Sequence, residues 1–105
     1  MTRQILLFND FGAGGPYVGQ MISALGAQAP AQPVVPVQHD APRGDPYHSA
    51  YLLAALVDSG PADAVWVCVV DPGVGGSRRA LQVRADGRWL VGPDNGLLVP
   101  ALRRA

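Results

Sequence analysis

The loop formed by residues 71–78 holds the side chains best suited to chemistry. It begins with the carboxylate of Asp71, ends with the guanidinium of Arg78, and has three glycines between them. Glycine lets a backbone approach a ligand closely or adopt a positive φ. If the loop folds back, Asp71 and Arg78 face each other across a small polar pocket that could hold a water molecule or hydroxide. The alternative is an ordinary ion pair that closes the loop, and the loop by itself favours that alternative.

Polar residues follow three of the apolar runs that predict buried strands. Asn9 and Asp10 follow the run at 5–8, Asp71 follows the run at 64–70, and Asp94 and Asn95 come after the run at 89–91. In an open α/β sheet, ligands bind beyond the carboxyl ends of the strands. These residues are therefore candidates for a binding site, although Asp and Asn in such places often cap a helix or make a turn.

Apolar runs at 5–8, 34–37, 64–70, 81–83 and 89–91 predict five strands. Pro36 within the second run predicts an edge strand, and the run at 64–70 predicts a central one because it is apolar on both faces. Asp86 and Gly87 predict a tight hairpin turn. Helices are expected from Pro16 to Gly26, from an Asp45 cap to Gly60, and from residue 97 to 104. The order predicts an α/β fold with an open, mostly parallel sheet flanked by helices and a β-hairpin near the C-terminus.

Composition limits the possible partners. The chain has 105 residues, which predicts one domain, and a formal net charge of zero, which argues against binding nucleic acid or an anionic membrane. Its single cysteine, Cys68, excludes an internal disulfide and is expected to be an inert core residue. No apolar stretch has the length of a signal segment or a membrane span, so a cytoplasmic location is expected.

Histidine and aspartate side chains at 39, 40 and 48 are the only ones that suggest a metal site. His39, Asp40 and His48 do not have the spacing of a ligand pair on one helix face. Two histidines in a chain of this size are also ordinary, so no metal is expected.

Four segments together carry a resemblance to a known family. The chain closely resembles the S-adenosyl-L-methionine hydroxide adenosyltransferase family, which is related to halogenases that use the same substrate. The segments that carry the resemblance are Leu7-Phe8-Asn9-Asp10-Phe11-Gly12, Pro16-Tyr17-Val18-Gly19-Gln20-Met21, Val69-Val70-Asp71-Pro72-Gly73-Val74-Gly75 and Val91-Gly92-Pro93-Asp94-Asn95-Gly96-Leu97-Leu98. Their order and number make the resemblance specific, and it spans nearly the whole chain.

The resemblance implies cleavage of S-adenosyl-L-methionine to adenosine and L-methionine, by attack of water or hydroxide on the ribose C5′. No cofactor or metal is implied. Asp71 and Arg78 match the aspartate and arginine that hold the nucleophile. Asp10 matches the residue that binds the ribose hydroxyls, and Phe11 and Asn95 are further substrate-binding candidates. A carboxylate at Asp71 repels a halide but accepts a hydrogen bond from water, which favours the hydrolytic branch.

The chain departs from the family pattern at several points. Asn9 stands where the family usually has Thr or Ser, and Gly15 where it usually has Asp. The resemblance implies a longer protein in which a third nucleophile-holding residue, a histidine, and a C-terminal β-barrel domain follow the stretch 1–105. It also implies a homotrimer, and the apolar run from Leu97 predicts an exposed apolar face and self-association.

Three functions stay open at this point. The first is an N-terminal part of such an enzyme, with impaired activity alone. The second is a non-catalytic nucleoside-binding or interaction module, and the third is an unrelated Rossmann-like nucleotide binder.

Overall fold

The computed structural model of the chain describes residues 3–12, 14–73 and 76–103. Five strands and three helices follow one another along these residues. In chain order they are β1 (Ile5–Asn9), α1 (Tyr17–Gln28), β2 (Val34–Gln38), α2 (Pro46–Ser59), β3 (Val65–Val69), β4 (Ala80–Ala85), β5 (Arg88–Pro93) and α3 (Val99–Arg103). The predicted α/β alternation is confirmed.

All five strands form one sheet in the order β2-β1-β3-β5-β4. Neighbours pair in parallel except β4 and β5, which are antiparallel. The open, mostly parallel sheet with a hairpin near the C-terminus is therefore confirmed. So are the central position of β3 and the edge position of the strand that carries Pro36. The carboxyl ends of β1, β2, β3 and β5 meet at one edge of the sheet, hereafter the carboxyl edge.

The connections between the parallel strands put α1 and α2 on opposite faces of the sheet. The chain moves outward from β1 to β2 and then back across β1 to β3. Such crossovers are almost always right-handed. Because the two connections run in opposite directions across the sheet, their helices lie on opposite faces of it. The main core lies on the α2 face, where Phe8, Trp66 and Leu90 of the sheet pack with Leu53 and Val57 of α2. On the α1 face, α1 contacts β2 and has no fully buried residue.

Two local features fix the ends of the elements as the sequence predicts. Asp45 caps α2, its side chain accepting a hydrogen bond from the amide of His48, and Pro46 occupies the first turn. At the hairpin, Asp86 and Gly87 both have positive φ, of 50° and 83°. This combination is what a two-residue type I′ turn requires, and its twist matches that of the strands it joins.

Three predicted features differ from the structure in detail. α1 continues past Gly26 to Gln28, because one glycine lowers helix stability without ending a helix that still has an apolar face. The last helix spans Val99–Arg103, so it begins later than the predicted start at 97, and residue 104 lies outside the described residues. The apolar run from Leu97 does not form the predicted exposed apolar face. Leu97 and Leu98 are buried in the core, and within the run only Val99 is exposed, at 41 %.

No helix in the described part of the chain combines the length and the apolar character needed to cross a lipid bilayer.

Candidate active site

Asp71 and Arg78 lie side by side just beyond the end of β3. Arg78 Nε is 3.7 Å from Asp71 Oδ1, and their side chains are 35 % and 12 % exposed. This distance makes the contact an ion pair rather than a hydrogen bond, so the guanidinium keeps its donors for another oxygen. The loop thus brings these two side chains together, and their contact is the ion pair that the loop sequence by itself favours. Two residues of the loop, Val74 and Gly75, lie outside the described residues.

The Arg78 side chain lies close to the turn after Asp71, at Gly73. The amide of Gly73 donates to Asp71 Oδ1 at 2.9 Å, which fixes the carboxylate against the start of the loop. A β-carbon at Gly73 would lie 2.9 Å from Nη2 of Arg78. A side chain at this position would therefore displace the guanidinium from its place next to the carboxylate.

A small cavity of about 230 Å³ opens beside this ion pair. Val67, Val69 and Val91 supply apolar lining, and Asp71 and Arg78 supply charge. A second cation, Arg79, also belongs to the lining. A carboxylate beside a guanidinium offers an acceptor and donors to one small oxygen species.

Asp10 lies at the same carboxyl edge, beyond the end of β1. Its Oδ2 accepts a hydrogen bond of 2.7 Å from the amide of Gly44 in the loop before α2. A second bond joins these two loops, since the amide of Gly12 donates to the carbonyl of His39 at 2.7 Å. The structure shows no partner for Asp10 Oδ1 among the described residues, so one carboxylate oxygen is available to a ligand.

Phe11 follows Asp10 and is half-buried. Its ring contacts that of Tyr17 edge to face, with centroids 6.1 Å apart. The contact links the segment after β1 to the first turn of α1. An aromatic face beside Asp10 could pack against a nucleoside.

Asn95 links the loop after β5 to the end of β3. Its Nδ2 donates to the carbonyl of Val70 at 2.9 Å, and its Oδ1 accepts from the amide of Leu97 at 3.1 Å. Both ends of the amide are therefore occupied by main chain. The neighbouring residue Asp94 pairs with Arg79 at 3.3 Å on the surface.

A larger cleft of about 650 Å³ lies between the start of α2 and α3. It is lined by Gly44, Asn95 and the exposed residues Tyr47, Tyr51 and Val99, and Asp71 and Arg78 are not among its lining residues. Of the predicted site residues, Asp71 and Arg78 thus line the smaller cavity and Asn95 lines the larger cleft. Asp10 and Phe11 are not among the lining residues of either one.

The histidines are not assembled into a metal centre. Among residues 3–12, 14–73 and 76–103, no group of three or more His, Cys, Asp or Glu side chains is placed to hold a metal ion. His48 Nδ1 lies 2.6 Å from Asp45 Oδ2. Cys68 is fully buried, and burial raises the pKa of its thiol far above the ordinary value, which fits an inert core residue.

Asn9 has an environment that the sequence pattern does not reveal. It is fully buried, and its Oδ1 accepts a hydrogen bond from the amide of Phe11 at 3.1 Å. Its Nδ2 is buried without a partner in the described part of the chain. In the sequence Asn9 is one more polar residue at a strand end, and only its burial separates it from a turn residue.

Comparisons with known proteins agree with the resemblance. Residues 5–105 match the family described as the SAM hydroxide adenosyltransferase N-terminal domain. The (R)-S-adenosyl-L-methionine hydrolases of Thermus thermophilus and Salinispora arenicola are each 44 % identical over 100 residues. The match covers 94 % and 95 % of this chain, respectively, and 38 % of each relative.

Solved structures give the same picture. A conserved hypothetical protein from Thermus thermophilus superimposes with a TM-score of 0.85 at 39 % identity, over 97 % of this chain and 43 % of that one. An uncharacterised conserved protein from Thermotoga maritima has a TM-score of 0.81 at 28 % identity, over 94 % and 38 %. The chain therefore spans less than half the length of the proteins it resembles.

Proposed function

The chain belongs to the SAM hydroxide adenosyltransferase family, and on that premise we propose that it supplies the N-terminal part of an enzyme that hydrolyses S-adenosyl-L-methionine. The products are adenosine and L-methionine. The hydrolase relatives support this substrate, and the Asp71–Arg78 pair beside a small cavity at the carboxyl edge is the observation that carries the proposal.

The reaction requires little chemical activation of the leaving group. A water oxygen forms a bond to the ribose C5′ while the C5′–S bond breaks, and the bonding electron pair stays on the sulfur of methionine. The sulfonium loses its positive charge, and one proton from the water is released. The enzyme must mainly hold the oxygen in line with the C5′–S bond and keep other water away.

Asp71 and Arg78 suit that task. The carboxylate accepts a hydrogen bond from the water O–H, which leaves a lone pair of the oxygen directed at C5′. The guanidinium donates to the same oxygen and limits its rotation. Val67, Val69 and Val91 form an apolar wall of the cavity beside the ionised pair. None of these steps uses a metal or a cofactor.

Asp10 would bind the ribose. A carboxylate is an acceptor matched to two adjacent hydroxyl donors, and Oδ1 of Asp10 is available for them. Phe11 would pack against the nucleoside beside it. Asn95 lines the larger cleft and would bind substrate there. Its side-chain amide also anchors the loop after β5 to the carbonyl of Val70. The third residue that holds the nucleophile in the family would come from outside the stretch that this chain spans.

The test is adenosine formation from S-adenosyl-L-methionine by the 105-residue chain. Because the chain spans 38 % of the hydrolases it matches, we expect slow turnover that depends on Asp71. Asp71→Asn should lower the rate by about 100-fold, since an amide cannot hold the water in the same orientation. Asp63→Asn is the matched control, because Asp63 is exposed in the turn before β3, at the other end of that strand from Asp71, and it should leave the rate unchanged.

Two outcomes would count against the proposal. Robust turnover that survives Asp71→Ala would remove the mechanism. Equilibrium binding of adenosine without any turnover would instead favour a non-catalytic nucleoside-binding module.

Self-association is a further part of the proposal. Tyr47 and Tyr51 are 67 % and 57 % exposed beside the larger cleft, and Val99 lies in the same lining. Exposed aromatic side chains grouped on one surface are typical of protein contacts. The family resemblance implies a homotrimer for the longer protein, and for this chain we expect self-association. Sedimentation equilibrium would check this. A monomer at all concentrations would contradict it.

A further inference from the structure

We propose that Asn9 is a positioning residue that orients Asp10 for the ribose hydroxyls. The inference rests on the proposed function, in which Asp10 binds the ribose. It adds a residue that touches no substrate and acts through its neighbour. It predicts that the side-chain oxygen of Asn9, rather than the size of the residue, determines how well the site recognises a ribose.

The oxygens of Asn9 hold the segment after β1 from two sides. Its Oδ1 accepts from the amide of Phe11 at 3.1 Å, and its main-chain oxygen accepts from the amide of Ala41 at 3.1 Å. Asp10 lies between the two residues joined by the first bond. A bond from residue 9 to residue 11 fixes the backbone at residue 10, and hence the direction in which the Asp10 side chain leaves it.

The other contacts of this segment come from the loop that follows β2. The amide of Gly12 donates to the carbonyl of His39, and the amide of Gly44 donates to Asp10 Oδ2, each at 2.7 Å. The hydrogen bond from the Gly44 amide to Asp10 Oδ2 requires the Asp10 side chain to point toward that loop. The Asn9 side chain therefore sets the geometry in which Asp10 Oδ2 is bound and Oδ1 is left for a ligand.

The oxygen of the Asn9 side chain is hydrogen-bonded, whereas its nitrogen is not. Nδ2 is buried and has no partner in the part of the chain that the structure describes, and a buried donor without a partner lowers stability. Threonine would keep an acceptor oxygen at this place and remove the unpaired donor. Valine has nearly the shape of threonine and lacks the oxygen.

This pair of substitutions gives a matched test. The 105-residue chain, labelled with ¹⁵N, is titrated by NMR with adenosine and with 2′,3′-dideoxyadenosine, and the ratio of the two dissociation constants is the readout. We expect wild type and Asn9→Thr to prefer adenosine to a similar extent. In Asn9→Val the preference should fall by about 2- to 10-fold, the effect of one hydrogen bond. Leu53→Val, a core substitution on α2, controls for a general loss of stability.

A second measurement needs no ligand. The Gly44 amide proton reports its hydrogen bond to Asp10 Oδ2. In Asn9→Val we expect this proton to shift upfield and to exchange faster with solvent, and in Asn9→Thr to resemble wild type. A structural role alone would speed exchange throughout the core, as in Leu53→Val, and would leave the preference for adenosine unchanged.

The outcomes separate the inference from the proposed function. If wild type binds adenosine and the dideoxy compound equally, or binds neither, the ribose-binding role of Asp10 is overturned, and the Gly44 measurement still decides whether Asn9 orients Asp10. If wild type prefers adenosine and Asn9→Val keeps both the preference and the Gly44 signal, Asn9 is not a positioning residue.

Discussion

Asn95 and Val70 are joined by a hydrogen bond from the side-chain Nδ2 to the main-chain oxygen, 2.9 Å long. Val70 directly precedes Asp71 and is fully buried. The bond therefore fixes the end of β3 at the point where the candidate catalytic loop begins. It also joins the two parts of the site, because Asn95 lines the larger cleft while Asp71 lines the smaller cavity.

Replacing Asn95 with alanine should destabilise the chain by about 1–3 kcal/mol, because the buried carbonyl of Val70 would lose its donor. The amide of Leu97 would also lose its acceptor. Urea unfolding followed by circular dichroism measures the difference. Asp94→Ala provides the comparison from the adjacent position, where the ion pair with Arg79 is exposed. Its effect should be about 0.5 kcal/mol or less, and equal losses for the two variants would contradict the importance of the Val70 bond.

The close approach of Arg78 to Gly73 leads to a second prediction. Gly73→Ala would place a β-carbon 2.9 Å from the guanidinium and push it away from Asp71. Adenosine formation should fall by about tenfold or more, because a small displacement of a positioning group has a large effect on rate. Gly14→Ala is the control, since a β-carbon there meets nothing within 4 Å. A rate for Gly73→Ala that equals the control rate would show that the Arg78 position is unimportant.

Much of the fold could be predicted because its signals are local. Apolar runs bounded by turn residues located the strands, and Pro36 indicated an edge. The Asp71–Arg78 contact was predictable for the same reason, since both groups belong to one glycine-containing loop. Their ion pair follows from how that loop turns, and distant residues are not needed to bring them together.

Contacts between distant segments could not be predicted from such patterns. The bond from Gly44 to Asp10 joins residues 34 positions apart, and the bond from Asn95 to Val70 joins residues 25 positions apart. Each depends on which strands become neighbours and on where their loops end. The burial of Asn9 depends on the same packing, so a residue that resembles an ordinary turn asparagine proved to be fully enclosed.

Helix α1 offers a prediction about stability alone. Gly19 lies inside this helix, and a β-carbon there would meet nothing within 4 Å. Gly19→Ala should therefore stabilise the chain by about 0.5–1 kcal/mol, because alanine restricts the unfolded chain and favours helix. Thermal unfolding would show a higher midpoint. Gly44→Ala should act in the opposite direction, since Gly44 has a φ of 64°, which strains any residue with a side chain.

Asp45 and His48 form the cap at the start of α2. Oδ1 of Asp45 accepts from the amide of His48 at 3.0 Å, and Oδ2 lies 2.6 Å from His48 Nδ1. The hydrogen bond from the His48 amide, followed by that from its ring, lowers the pKa of Asp45 from the ordinary 3.8. A carboxyl group whose pKa is lower in the folded state stabilises the fold at pH values above its unfolded pKa. That contribution disappears as the pH falls through the folded value.

Asp45→Asn should remove this pH dependence while keeping an acceptor for the cap. Wild type should be the more stable of the two at about pH 5, and its advantage should shrink on acidification to about pH 3, because protonated Asp45 no longer attracts His48. Urea unfolding at both pH values measures the difference. Asp40→Asn is the control, since Asp40 is exposed and the described residues show no hydrogen bond or ion pair to its side chain. Its difference from wild type should stay constant, and a constant difference for Asp45→Asn as well would mean that the carboxylate contributes no more than the amide.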